Sequence, residues 1–300
     1  MLNIPEKSIN PTDLDVFILQ RMDLVNRKYL IGSCNVLVKP MYWRRMGILQ
    51  DKNILITGVL TDASLAFGVA ELALSEGANL IITGAGRGLR LTERTARKLE
   101  GDVEVLEFDV TDQTHVSNIH ERLKEKWNRV DGALHAIGFM PEVGLGEDFF
   151  AASWEDISPG FNISAYSLKT VAEATAPLMT NGGSIVGLDF DARFAWPAYN
   201  WMGVAKAALE SASRYLARSL GPENIRVNLV AAGPIRTMAA KSIPGFKEFE
   251  DAWDERAPLG WDVKDSSAVA RSCVALLSDW FPMTTGSMLH VDGGYHAVGA

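Results

Sequence analysis

The sequence has little cysteine: among 300 residues only Cys34 and Cys273 occur, and they lie far apart. This excludes a disulfide framework and a Cys-x-x-Cys metal or redox pair, and it is typical of a cytoplasmic protein. The five histidines include no pair four residues apart beside a carboxylate, so we predict no metal site. Asp189 and Asp191 lie close together but lack the partners of a cation site, and we interpret Asp189 as structural.

Long apolar runs and excess positive charge are also missing. No stretch approaches about 18 consecutive apolar residues, which excludes a transmembrane helix. Lys and Arg number 29 against 37 Asp and Glu, and the resulting net charge of −8 argues against a nucleic-acid-binding surface. The apolar share of 47% and the charged share of 22% are those of a globular protein and exclude a disordered chain.

Residues 1–46 differ from the rest of the chain. They carry a net charge of +3, whereas the remainder carries −11, and they show no sustained helical or strand period. Basic residues precede their apolar stretch, but the small-residue cleavage site of a signal peptide is missing. We therefore predict a leader that is poorly ordered, or a start codon assigned too early, since Met41 and Met46 are available as later starts.

From residue 47 onward, short apolar runs alternate with longer amphipathic segments. Such alternation indicates crossover units and a parallel sheet covered on both faces. We predict a single α/β domain over residues 47–300 with a doubly wound, parallel seven-stranded sheet (Rossmann fold). A (β/α)₈ barrel is the alternative, but it needs an eighth unit and no glycine-marked first turn. The predicted strands are Asn53–Thr57, Asn79–Thr83, Val103–Phe108, Gly132–Ala136, Ser184–Leu188, Arg226–Ala231 and Ser287–Val291, and the predicted helices span about 65–76, 89–99, 115–127, 162–179, 199–220 and 265–277.

The first predicted strand runs into a turn suited to a pyrophosphate. Gly58 ends the strand, and small residues then open a helix near Ser64, whose hydroxyl adds a donor. The usual Gly-x-Gly-x-x-Gly pattern is absent, so an ordinary strand–helix turn fits this segment equally well. Asp109 ends the third predicted strand, where it is placed to accept a hydrogen bond from an adenine amino group and is equally typical of a turn.

Four motifs together are similar to one family. They are Gly58-x5-Ser64-x-Ala66, Ile137-Gly138-Phe139, Tyr199-Asn-Trp-Met202-x3-Lys206 and Ala232-Gly-Pro-Ile-Arg-Thr237. Over about 47–296 the chain resembles the NAD-dependent enoyl-(acyl-carrier-protein) reductases of the short-chain dehydrogenase/reductase superfamily, and its stretch 183–202 resembles the branch that serves mycolic acid elongation. The resemblance implies NADH-dependent reduction of the trans-2 double bond of an enoyl thioester, carried on acyl carrier protein or CoA, by a cytoplasmic homotetramer.

The spacing of Tyr199 and Lys206 distinguishes this family from the commoner short-chain dehydrogenases, which use Tyr-x3-Lys. No tyrosine of this chain has a lysine four residues later. Seven residues place two side chains about 10 Å apart along one helix face, so the two groups serve different ligand atoms. The resemblance implies that Lys206 holds the nicotinamide ribose hydroxyls and that Tyr199 reaches the thioester oxygen.

Phe190 stands where carbonyl-reducing relatives place a serine that binds the reacting carbonyl. An apolar ring there is compatible with hydride delivery to a β-carbon, and simple core packing is the other interpretation. Two alternative functions follow from the same fold: a carbonyl (3-ketoacyl) reductase, and a non-catalytic nucleotide-binding regulator. The retained Tyr199 and Lys206 argue against the regulator.

The resemblance also implies a role for each site residue. The catalytic residues are Tyr199, Lys206 and Phe190; the cofactor-binding residues are Gly58, Ser64, Leu65, Asp109, Val110, Ile137, Gly138, Lys206, Ile235 and Thr237; the substrate-binding residues are Tyr199, Phe139 and Met202. A segment at about 236–258 is expected to cover the acyl chain, and it is shorter than in long-chain members.

No acidic residue follows the second strand, where Arg87 or Arg90 is available for a 2′-phosphate. We therefore predict NADH, with NADPH as the alternative.

Overall fold

The computed structural model describes residues 47–299, which form a seven-stranded parallel sheet and eight α-helices. The strands are β1 (Asn53–Ile56), β2 (Asn79–Gly84), β3 (Glu104–Glu107), β4 (Gly132–His135), β5 (Gly183–Asp189), β6 (Ile225–Ala232) and β7 (Met288–Val291). The helices are α1 (Leu65–Ser75), α2 (Leu89–Ala96), α3 (Gln113–Trp127), α4 (Trp154–Phe161), α5 (Ser167–Thr175), α6 (Asn200–Leu220), α7 (Phe246–Arg256) and α8 (Ser267–Leu277). Every predicted strand agrees with an observed one to within a residue at each end. The leader predicted over 1–46 lies outside the described residues.

The strand order is β3-β2-β1-β4-β5-β6-β7, and all neighbouring strands are parallel. The sheet is open, with β3 and β7 at its edges, so the doubly wound fold is confirmed and the barrel alternative is wrong. Because the chain builds outward from β1 in one direction and from β4 in the other, a crevice opens at the carboxyl ends of these two strands.

The core has two layers, one on each face of the sheet. In β1 the side chains alternate: Ile54 and Ile56 pack on the face covered by α1 and α8, whereas Leu55 packs on the face covered by α3, α5 and α6. All three are fully buried. Burial on both faces explains why inner strands such as β1 read as apolar runs, unlike the partly exposed edge strands β3 and β7.

The predicted helix over 162–179 differs from the structure. Helical structure begins earlier, with α4 at Trp154, passes through a π-helical turn at Asn162–Tyr166 and continues as α5. The π-turn changes the helical phase between α4 and α5 and brings side chains of this turn against the crevice.

Among residues 47–299, no helix combines the length and apolar character that crossing a bilayer requires.

Candidate active site

The crevice is built around a close approach between the ends of β1 and β4. Gly58 follows β1 with φ +80°, and a Cβ at this position would lie 2.0 Å from the carbonyl oxygen of Ala136. Both the backbone conformation and the space therefore require glycine here. The turn that the sequence marked is thus the point where the two halves of the sheet meet.

The helix that follows this turn presents free backbone donors. Ser64 occupies the N-cap position of α1 with an extended backbone, but its hydroxyl donates to the carbonyl oxygen of Thr61 at 2.5 Å and makes no capping hydrogen bond to the helix. The N–H groups of Leu65 and Ala66 have no acceptor among residues 47–299, and the first turn carries no acidic side chain. Unpaired N–H groups at the positive end of a helix suit an anion such as a pyrophosphate.

Asp109 lies at the end of β3 as an Asx turn. Its Oδ1 accepts from the N–H of Thr111 at 2.9 Å and from the hydroxyl of Thr111 at 2.7 Å, and its own N–H donates to Nδ1 of His115 at 3.0 Å. Val110 beside it is buried. Oδ2 makes no hydrogen bond to a described residue, so the turn leaves one carboxylate oxygen available to a ligand.

The loop after β4 is fixed by Ser164, a residue that the sequence analysis missed. Ser164 is fully buried in the π-helical turn, and its hydroxyl accepts from the N–H of Phe139 at 2.8 Å and donates to the carbonyl oxygen of Phe139 at 2.7 Å. A Cβ on Gly138 would meet Cε of Met202 at 3.4 Å, and Ile137 is half-buried. Gly138 therefore lies against Met202, while Phe139 is 47% exposed.

Tyr199 sits in a strained turn immediately before α6. Its neighbours Ala198 and Asn200 have φ of 57° and 45°, in the left-handed region that Ala rarely adopts. Gly146 holds the turn: its N–H donates to the carbonyl oxygen of Ala198 at 2.9 Å, and its carbonyl oxygen accepts from Nδ2 of Asn200 at 3.0 Å. Backbone strain of this kind persists where surrounding contacts impose it, and it concentrates at functional sites.

Tyr199 belongs to an aromatic cluster together with Phe190, Trp196, Phe249 and Trp253. The Tyr199 ring lies 5.1 Å from the Phe190 ring and 6.3 Å from the Phe249 ring, measured between centroids. Burial, and secondly the charge of Asp189, raise the pKa of the Tyr199 phenol above its ordinary value. The hydroxyl has no hydrogen-bond partner among residues 47–299, so it is a neutral donor free for a ligand.

Lys206 lies at the end of β5. Its Nζ donates to the carbonyl oxygen of Leu188 at 3.0 Å, and Oδ1 of Asp189 lies 3.6 Å from the same Nζ. Burial lowers the pKa of Lys206, and the Asp189 carboxylate opposes that shift. No hydrogen bond joins Nζ to the Tyr199 hydroxyl. Lys206 therefore contacts β5 itself, whereas Tyr199 packs on Phe190, the residue that follows β5.

His135, at the end of β4, is a buried neutral group. Its Nε2 lies 2.6 Å from the hydroxyl of Ser167, and its Nδ1 has no partner among the described residues. Burial and then the charge of Lys206 lower its pKa to about 3. At neutral pH His135 is therefore an uncharged imidazole and not an imidazolium acid.

The end of β6 leads into the segment predicted to cover the acyl chain. Ile235 is buried, and Thr237 donates its N–H to the carbonyl oxygen of Ile235 at 2.8 Å while its hydroxyl oxygen accepts from Ala240 at 3.1 Å. Arg236 and Glu250 form an ion pair across the segment. The segment contains α7, whose buried face joins the aromatic cluster.

Glu107 is a further residue that the sequence analysis missed. It lies at the end of β3 in register with Gly84 of β2, and its Oε1 accepts from the N–H of Gly86 at 3.3 Å. Arg87 and Arg90, the two predicted phosphate-binding candidates, are exposed. A carboxylate thus stands beside the loop that follows β2, although none is present in that loop.

The described part of the chain contains no group of three or more His, Cys, Asp or Glu residues able to hold a metal ion. Cys273 is buried in α8, and burial raises the pKa of its thiol, so the thiolate form is disfavoured.

Comparisons with known proteins give a consistent picture. The family model described as enoyl-(acyl carrier protein) reductase matches residues 58–296. The chain is 48% identical to the enoyl-(acyl-carrier-protein) reductase (NADH) of Mycolicibacterium smegmatis and 45% identical to that of Mycobacterium avium; both alignments span 262 residues and cover 83% of this chain and 97% of the relative. It is also 39% identical, over 253 residues, to the enoyl-(acyl-carrier-protein) reductase (NADPH) of Staphylococcus aureus, with 83% of this chain and 98% of that protein covered.

Proposed function

Because this chain belongs to the enoyl-(acyl carrier protein) reductase family, we propose that it reduces the trans-2 double bond of enoyl thioesters in fatty acid synthesis with NADH. The family resemblance noted in the sequence is confirmed. The observation that carries the proposal at the level of the site is the pair Tyr199 and Lys206: Tyr199, just before α6, packs on Phe190, and Lys206 of α6 donates to Leu188 of β5. The roles of individual residues given below are our proposals.

The residues present fit a dinucleotide. The free N–H groups of Leu65 and Ala66 suit its pyrophosphate. The buried ammonium of Lys206, which donates to a single carbonyl oxygen among the described residues, has hydrogens left for ribose hydroxyls. Gly58 permits the close approach of strand ends that such a ligand spans.

The mechanism assigns each side chain one task. When bound, NADH supplies the hydride that reduces the β-carbon of the enoyl thioester. Tyr199, kept neutral by burial, donates a hydrogen bond to the thioester oxygen, where negative charge develops as the enolate forms. Lys206 binds the ribose hydroxyls of the cofactor and so orients it. The α-carbon of the substrate takes its proton ultimately from solvent. Phe190 packs on the Tyr199 ring and excludes water from the reacting double bond.

A carbonyl reductase needs a hydroxyl donor beside its tyrosine, and β5 does not provide one at the correct end. Ser184, at the opposite end of β5, donates its hydroxyl to the carbonyl oxygen of Leu276. Phe190 directly follows the end that faces Tyr199. This arrangement favours enoyl over 3-ketoacyl substrates, and the presence of an intact Tyr199–Lys206 pair favours an enzyme over a regulator.

Glu107 favours NADH over NADPH. Its carboxylate lies against the Gly86 N–H, close to the loop where Rossmann proteins bind the adenine ribose. A carboxylate there accepts a hydrogen bond from a 2′-hydroxyl and repels a 2′-phosphate. Arg87, which is exposed nearby, is the group that would favour NADPH.

We propose that the segment 236–258 covers the acyl chain of a substrate on acyl carrier protein or CoA. Its helix α7 already places Phe249 against the ring of Tyr199.

We also propose a cytoplasmic homotetramer, as the family resemblance implies. Phe150 and Trp154 are 94% and 63% exposed, and exposed aromatic rings of this kind are common at subunit interfaces.

The catalytic domain is proposed to begin after residue 46. Alignments with the mycobacterial relatives cover 97% of those proteins but 83% of this chain, and β1 begins at Asn53. A chain that starts at Met46 should fold, bind NADH and turn over like the full chain. An inactive or insoluble truncated protein beside an active full-length protein would place the domain boundary elsewhere.

One assay tests the proposed function directly. The oxidation of NADH is followed by absorbance with trans-2-enoyl thioesters of several chain lengths, on CoA and on acyl carrier protein, against a 3-ketoacyl thioester. Turnover of enoyl substrates above the 3-ketoacyl control supports the proposal. A preference for 3-ketoacyl substrates would assign the chain to the carbonyl reductases, and binding of NADH without turnover of either substrate would support the regulator.

A further inference from the structure

Asp189 has a buried carboxylate that no described residue satisfies by a hydrogen bond. Its side chain, at the end of β5, is 0% exposed, and neither Oδ1 nor Oδ2 has a hydrogen-bond partner among residues 47–299. The ammonium of Lys206 lies 3.6 Å from Oδ1, just beyond hydrogen-bond distance, and the Lys206 side chain is 8% exposed. Burying a carboxylate without a hydrogen bond costs free energy, so its presence here points to a role for Asp189.

The ionisable groups around Asp189 indicate what this role is. From α6, Lys206 and Glu210 face it, with Tyr199 at the start of the helix; from β4, His135 faces the same space. On β6 the register partner of Asp189 is the apolar residue Ala231. Glu210 is already engaged, since its Oε1 accepts from the N–H of Ala192 at 3.0 Å.

Asp189 and Lys206 therefore act mainly on each other. Burial raises the pKa of Asp189 to about 7, and the charge of Lys206 opposes that rise. Burial lowers the pKa of Lys206, and the charge of Asp189 is the largest effect that opposes it. Removing Asp189 leaves Lys206 with the full cost of burying a cation and only the weaker influence of Glu210 against it.

We propose that Asp189 is a positioning residue that keeps Lys206 protonated and holds its ammonium at the crevice, so that Lys206 binds the cofactor ribose as a cation. This inference rests on the proposed function, because it takes NADH as the ligand of Lys206. It replaces the interpretation of Asp189 as structural that the sequence supported.

The test is the pH dependence of NADH affinity, measured by calorimetry from neutral to alkaline pH in the wild-type protein and in Asp189→Asn. In the variant, the pH at which affinity begins to fall should move down by about 1–3 units, because an opposite charge at this distance accounts for a shift of that size. Affinity for ADP, which lacks the nicotinamide ribose, should stay unchanged. Glu210→Gln is the matched control, and its profile should stay close to that of the wild type.

Two further variants keep the test decisive. If Asp189→Asn does not fold, Asp189→Ser removes the same charge with a smaller side chain, and the same profile is measured. The double variant Asp189→Asn with Lys206→Arg should lose the alkaline dependence, because a guanidinium stays protonated.

Parallel NADH profiles in the wild type and in Asp189→Asn, or an equal loss of ADP affinity, would show a merely structural role and overturn the proposal. A wild-type protein that binds ADP but not NADH would contradict the proposed function itself, and with it this inference.

Discussion

The rings of Phe190 and Tyr199 pack with their centroids 5.1 Å apart and their planes at 60°. Phe190 directly follows β5 and Tyr199 directly precedes α6, so this contact joins the strand end to the start of the helix that carries Lys206. The phenol is thereby held in apolar surroundings, which keep it protonated and leave its hydroxyl with a hydrogen to donate.

Tyr199→Phe should lower kcat more than it raises KM for enoyl thioesters, because the hydroxyl acts on charge that develops in the transition state. Losing one such donor costs about 10²–10³ in rate, or ~2.7–4 kcal/mol, and we expect the lower end because water can partly replace the hydroxyl. Steady-state kinetics measure the split. A variant whose KM rises while kcat is unchanged would contradict this role.

Lys206→Ala should weaken NADH binding, whereas Tyr199→Phe should leave it nearly intact. The reason is the separation of their contacts: Nζ of Lys206 donates to Leu188, and no hydrogen bond links it to the tyrosine. Calorimetric titration of both variants with NADH gives the comparison. Equal losses of affinity would refute the division between the two side chains.

Glu107→Gln should raise kcat/KM with NADPH by roughly five- to tenfold and change the value for NADH little, since one charge facing a 2′-phosphate in water is worth on the order of 1 kcal/mol. Glu104→Gln is the matched control: Glu104 lies on the same strand but pairs with Arg122 and Lys126. The ratio of kcat/KM for the two cofactors is the measurement. An unchanged ratio in Glu107→Gln would remove Glu107 from cofactor selection.

Phe249→Ala should favour longer enoyl chains, because it opens space beside Tyr199 in the segment that we propose to cover the acyl chain. It should also destabilise the fold by about 3–5 kcal/mol, the usual cost of removing a buried ring. Chain-length profiles and denaturant unfolding measure the two effects. Phe246→Ala, on the same helix but packed on Phe249 rather than on Tyr199, should leave the profile unchanged.

Ser164→Ala should raise KM for the substrate, because it frees the backbone of Phe139 that the hydroxyl fixes on both sides. Ser167→Ala removes a buried hydroxyl from the next turn, where it contacts His135 rather than Phe139. Both variants should lose about 1–3 kcal/mol of stability through unpaired buried groups. If the two variants raised KM equally, positioning by Ser164 would be disproved.

The sequence predicted the strands closely and one helical region poorly, for two different physical reasons. Strands buried on both faces leave continuous apolar runs that are easy to read. Helix α4 contains Pro159, which normally argues against a helix interior. The structure compensates, because the hydroxyl of Ser158 donates at 3.4 Å to the Glu155 carbonyl oxygen that proline cannot serve. Ser153 and Asp156 form the capping box that could have revealed the start.

The site was predictable where motifs carry it and not where tertiary contacts do. Tyr199 and Lys206 stand out by their spacing. Asp189, Ser164 and Glu107 do not, because their surroundings come from other elements: a lysine on α6, a loop after β4 and a loop after β2. Strand order and register, which sequence periodicity does not give, bring these partners together.

The aromatic cluster also provides an intrinsic fluorescence probe of ligand binding. Trp253 stacks on Tyr295 at 3.8 Å and lies 5.3 Å from Trp196, so indole emitters stand within the same packed group as Tyr199. Indole emission overlaps the near-ultraviolet absorption of reduced nicotinamide. Binding of NADH at this crevice should therefore quench tryptophan fluorescence and sensitise emission from the nicotinamide, without any added label. Trp196→Phe and Trp253→Phe would then divide the energy transfer between the two donors and report how each ring moves as substrate enters.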